Sequence, residues 1–195
     1  KDEKLFLGVK NAYTSNSPKN EEDYSMEKRP EQERIRIEKL AYLEEKGVKP
    51  FGQRYDRTAN SKSIIEDYDK YTKEDLEQQT FTVKIAGRMI AKRRQGKIGF
   101  INILDKFGTI QCYISKEILG EDVYDIFIKS DIGDILGIEG TVMRTNTGQL
   151  TVKCTVFTHL SKAIRPLPEK FHGLQDVEEA RRRRYVDLIV NDDSR

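Results

Sequence analysis

The chain is 195 residues long, 36% hydrophobic and 35% charged, with a formal net charge of +2. That composition supports one good core or two small ones. It excludes a membrane-spanning helix, because no apolar run approaches the roughly 20 residues a bilayer requires.

The opening "KDEKLFLGVKNAYTSNSPKN" has too short an apolar patch for a signal peptide. Residues 1–29 lack sustained periodicity and are rich in Asn, Ser, Glu and Asp, which reads as a flexible arm. A helical region follows over 30–79. Its first helix runs from Pro30 to Lys46, with Ile37, Leu40 and Ala41 on one stripe. Gly47 suits the left-handed position after the helix, and Pro50 prevents continuation. Arg34 and Arg36 read first as a solvated face, with nucleic-acid contact as the alternative. Two short helical pieces are expected over Ser63–Tyr71 and from Thr72, the second opened by a Thr72/Asp75 capping box.

From Phe81 the hydrophobic period changes to two, and Gly87 suggests a bend in this first strand. "GFINILDKFGTIQCYI" then reads as two strands around a turn. Ile101, Ile103, Ile110, Cys112 and Ile114 form its core face. "SKEILGEDVYDIFIKS" reads as one helical insertion with Ser115 as its cap. "DILGIEGTVMRT", the turn "NTG" and "QLTVKCTVFTHLS" complete the pattern. In the last strand Leu150, Val152, Cys154 and Val156 are expected inside, and Gln149, Thr151, Lys153 and Thr155 outside. Cys112 and Cys154 then read as buried reduced thiols, and they have no metal-ligand spacing. Five strands with a helix between the third and fourth, over 80–161, indicate a mainly β chain built on an OB-fold barrel.

The outward face of the hairpin is unusual for a surface exposed to water. It pairs Phe100 with Tyr113 and Asn102 with Gln111 if Leu104 opposes Thr109. Nucleobases expose flat π-faces, so Phe100 offers a stacking platform, and the amides beside it can pair with a base edge. Between Phe81 and Leu104 there are six basic residues and no acidic one. Arg88 is a candidate RNA contact. Lys84, Lys92, Arg93, Arg94 and Lys97 are candidate phosphate contacts. The blander reading is a solvated sheet edge guarded by lysine and arginine. Fold, aromatic, amide and charge together favour single-stranded nucleic acid. A free-standing nucleic-acid binder and a protein-interaction module are the competing classes.

The stretch from Lys162 has two prolines within Arg165–Pro168, which predicts a stiff extended connection. His172 reads as a core or hinge residue. A helix is expected over Glu178–Ile189, so 162–195 reads as a linker leading into a further domain.

"PFG" at Pro50, "IAGRM" at Ile85, "DIGDILGIEG" at Asp131, "TNTG" at Thr145, "RPLPEKFHGLQD" and "RYVDLI" together resemble bacterial lysyl-tRNA synthetases of class II. The resemblance covers roughly Pro30 to Arg195. It implies an N-terminal anticodon-binding barrel whose stacking phenylalanine matches Phe100, whose reading glutamine matches Gln111, and whose arginine matches Arg88. Gln149 stands where the family commonly has glutamate, so one uridine contact loses its carboxylate. Ala180 and Arg181 depart from the family pattern at the domain junction. The resemblance implies a cytoplasmic, homodimeric full-length ligase that uses ATP and Mg2+ to join lysine to its tRNA. It implies no catalytic, cofactor or metal site within this chain.

Overall fold

The computed structural model describes residues 29–168, 177–191 and 194. The expected arm, apart from Arg29, and His172 lie outside the described residues.

Helix α1 covers Glu31–Glu45, and Pro30 stands immediately before it. Its backbone ends at Gly47 with φ +77°, the left-handed geometry expected there. Helix α2 covers Ser61–Tyr68, two residues earlier than the sequence suggests. Asn60 supplies the missed start signal: its side chain accepts from Ser63 N while Ser63 Oγ accepts from Asn60 N. Helix α3, Lys73–Gln78, has the expected Thr72/Asp75 box.

Five strands form a closed barrel: β1 (Thr82–Gln95), β2 (Ile98–Leu104), β3 (Thr109–Ser115), β4 (Ile135–Arg144) and β5 (Leu150–Ser161). Their order is β1-β2-β3-β5-β4, closed by the β4–β1 pairing. All contacts are antiparallel except β3 with β5. Leu104 opposes Thr109, Asn102 opposes Gln111 and Phe100 opposes Tyr113, the register read from the sequence. Ile101, Ile103, Ile110, Cys112, Val152 and Cys154 are all buried within the barrel core.

Strand β1 serves two neighbours, β4 along its first half and β2 along its second. Gly87 stands near the changeover. A Cβ there would approach Leu104 O to 2.4 Å, so close strand crossing explains this glycine. The register irregularity comes later, between Met89 and Ala91. A shift in the β4–β5 pairing, between Glu139 and Gly140, corrects the inside–outside reading of β5. It puts Val156 outside, at 46% exposure, and turns Phe157 inward.

The insertion between β3 and β4 is two helices, α4 (Lys116–Leu119) and α5 (Glu121–Lys129), broken at Gly120. Ser115 makes no side-chain cap bond. Phe127 and Tyr124 of α5 join the core cluster, and Tyr124 Oη donates to Gly96 O in the β1–β2 turn at 3.0 Å. The expected C-terminal helix is divided into α6 (Val177–Arg182) and α7 (Arg184–Val190).

The helical region is tied to the barrel by partly buried charge. Arg36 donates to Ala163 O at 2.7 Å and Ile132 O at 3.1 Å, so it is a docking residue and not a solvated one. Lys39 reaches Asp131, which also accepts from Lys162 at 2.6 Å.

Candidate nucleic-acid interface

On the outer face of β2 and β3, the rings of Phe100 and Tyr113 meet edge to face, with centroids 5.4 Å apart and planes at 64°. This geometry follows from the register, because directly opposed residues on one face bring their side chains together. The rings share an open groove of about 720 Å³ with Gln111, Ile98, Arg93, Arg94 and Gln95. Thr145, Asn146, Thr147 and Gln149, from the β4–β5 turn, form its other wall. A wider groove of about 1070 Å³ lies beyond the rings, walled by α3, α4 and the ends of β4 and β5.

The β4–β5 turn is held in shape from within. Thr145 N donates to Gln149 O at 3.0 Å, and Gly148 N to Thr145 O at 2.9 Å. Arg144 braces it by donating to Gly148 O, Tyr71 O and Asp69. Three of this wall's residues, Thr145, Asn146 and Thr147, were missed as site residues from sequence. The signal was the "NTG" turn itself, because a turn joining β4 to β5 must stand beside β3 once β3 and β5 pair.

Gln111 is not an open surface residue. It is 6% exposed, and its Oε1 accepts from Thr151 Oγ1 at 3.0 Å. It therefore belongs to the groove's floor. Asn102 opposes it across the ladder but does not line the groove.

The basic residues separate into two groups. Arg93, Arg94 and Lys97 are exposed at the β1–β2 end, and the two arginines line the groove. Lys92 has a different place. Its Nζ donates to the carbonyls of Phe127, Ile128 and Ser130 at 2.8, 2.9 and 2.7 Å, and lies 4.6 Å from the Phe127 ring centroid. It satisfies the carbonyl end of α5, where a cation complements the helix dipole. Burial lowers its pKa to about 8. Arg88 donates to Gly133 O at 2.7 Å, and Lys84 pairs with Glu139 at 3.0 Å. Neither lines the groove, because both sit on the half of β1 that pairs with β4.

An aromatic pair, a buried amide and two exposed arginines line one groove, a combination chemically suited to single-stranded nucleic acid. Residues 83–160 match the model of an OB-fold nucleic acid binding domain of the tRNA anticodon type. Over 164 residues the chain is 54% identical to the lysine–tRNA ligase of Pediococcus pentosaceus, an alignment covering 84% of this chain and 33% of that protein. Over 169 residues it is 53% identical to the lysine–tRNA ligase of Streptococcus pneumoniae, covering 87% of this chain and 34% of the relative. The chain is homologous to the bacterial lysine–tRNA ligases. It corresponds to their anticodon-binding OB-fold region. It spans about a third of the length of the relatives it matches. Among the described residues no helix is long and apolar enough to cross a membrane, and no cluster of His, Cys, Asp and Glu is arranged for a metal ion.

Proposed function

We propose that this chain selects lysine tRNA by holding splayed anticodon bases in the groove beside Phe100. The observation that carries this reading is the Phe100–Tyr113 pair sharing one groove with Gln111, with Arg93 and Arg94 on one rim and Gln149 on the other. One base stacks on Phe100, an interaction worth roughly 1–3 kcal/mol. Gln111 reads its edge, and the two arginines hold phosphates. Gln149 contributes a neutral amide to the opposite rim.

In this reading residues 30–79 are a helical region docked on the barrel of 80–161. Lysine activation with ATP and Mg2+, transfer to tRNA, dimerisation and a cytoplasmic location belong to the whole ligase. Fluorescence anisotropy with a lysine-tRNA anticodon stem-loop tests the reading. The stem-loop should bind more tightly than the same stem carrying an unrelated loop, and equal affinity for the two would remove the case for anticodon selection.

A further inference from the structure

Thr151 is fully buried on β5, although strand alternation from Leu150 places it on the outward side. The parallel β3–β5 pairing sets it directly opposite Gln111. Its Oγ1 stands 3.0 Å from Gln111 Oε1 and 3.2 Å from Gln149 O. A threonine hydroxyl has one proton to donate. The Gln149 carbonyl already accepts from Thr145 N at 3.0 Å, and Gln111 Oε1 is the nearer acceptor. The hydroxyl proton therefore goes to Gln111.

That bond sets the orientation of the amide in this structure. With Oε1 held by Thr151, the Nε2 end is the free end. Among the described residues the buried side-chain polar atoms without a partner are Tyr55 Oη and His159 Nδ1. Gln111 Nε2, which makes no hydrogen bond within the described chain, is thus open to the groove that Gln111 lines. A glutamine free to rotate by half a turn presents either a donor or an acceptor. This one presents a donor.

We propose that Thr151 is a specificity-positioning residue, which fixes the Gln111 amide with its NH2 toward the groove so that the site selects a base with an acceptor at the 4-position of its ring. Uracil offers its O4 carbonyl there, whereas cytosine carries an amino donor at the same position. The selection is made by repulsion as much as by attraction, because two donors facing each other leave both unsatisfied. This inference rests on the reading of the groove as an anticodon site.

The test uses the whole chain and two substitutions. Thr151→Val keeps the shape of the buried side chain and removes the hydroxyl. Thr151→Ser keeps the hydroxyl. Affinities are measured for anticodon stem-loops carrying uridine or cytidine at each anticodon position, with circular dichroism melting to establish that each variant is folded. Wild type should prefer uridine at one position by about tenfold, within the range expected for one unsatisfied donor. Thr151→Val should bring that ratio to within about twofold of unity while changing the affinity for a different, non-contacted position little. Thr151→Ser should restore the wild-type ratio.

A merely structural role would weaken all the RNAs together and leave the ratio intact, which would overturn the proposal. A Thr151→Val protein that keeps full uridine preference would overturn it as well. Wild-type protein that binds all the stem-loops alike would instead remove the anticodon reading, and this inference with it.

Discussion

Lys162 Nζ lies 2.9 Å from Asp134 Oδ2, and both side chains are fully excluded from solvent. Asp134 is the centre of a cluster: its carboxylate also meets His159 Nε2 at 3.1 Å and accepts from the backbone of Asp131 and Ala163. The pair thus fastens the start of β4 to the segment leaving β5, beside the residues where Arg36 and Lys39 dock α1. Breaking one partner of such a pair strands a buried charge, at a cost of roughly 3–5 kcal/mol. Asp134→Asn should lower stability by about that amount in urea denaturation, whereas an exposed pair such as Arg54–Asp56 should be nearly silent.

The same cluster sets the acid limit of the fold. Burial pushes the Asp134 and Asp131 carboxyls upward, but donors from His159 and Lys162, and from Lys162 and Lys39, outweigh it and hold both below the ordinary carboxylate value. A carboxylate depressed in the folded state contributes stability that is complete above its unfolded pKa. That contribution fades as pH falls through the folded one. Stability should therefore hold down to about pH 4 and decline below it. In Asp134→Asn the decline should be shallower, as read from urea midpoints between pH 5 and 2.5.

The basic residues of β1 should separate by experiment as they do in space. Lys92→Ala leaves two carbonyls of α5 and that of Ser130, just after it, without their donor and should cost about 1–3 kcal/mol of stability. It should leave the salt dependence of RNA binding unchanged. Arg93→Ala and Arg94→Ala should do the reverse, each keeping the melting temperature and reducing the salt slope by about one.

Gly140 tests the packing at the β4–β5 irregularity. An added Cβ would lie 2.0 Å from Lys153 O, a backbone atom with little room to move. Gly140→Ala should cost at least the roughly 1–3 kcal/mol typical of overpacking. Gly52→Ala meets nothing within 4 Å but carries φ +71°, so its smaller cost should come from backbone strain alone.

The barrel was legible because its strands alternate cleanly and its turns carry their own signals. Phe100, Tyr113 and the hairpin register follow from the sequence, since one turn fixes every pair on that ladder. What escaped was set by contacts between distant segments. Val156 follows the inward pattern of Val152 and Cys154 until a shifted register turns it out, and nothing local marks that shift. Lys92 has the same local setting as Arg93 and Arg94, yet it reaches the end of α5, some 35 residues away in sequence. Gln111 looked exposed because its neighbour across the parallel pairing, Thr151, is known only once the barrel closes. Sequence alternation identifies a face; it does not say what will later be laid against it.

The central claim is that the Phe100 ring is a stacking platform for an anticodon base, and anisotropy titration of Phe100→Ala against a lysine-tRNA anticodon stem-loop tests it most directly. On a variant whose melting curve shows it to be folded, affinity should fall by the roughly 1–3 kcal/mol of one lost base stack. It should fall far less for a stem-loop that lacks the stacked base. Wild-type affinity for Phe100→Ala would contradict the account and leave the aromatic face without a role in RNA binding.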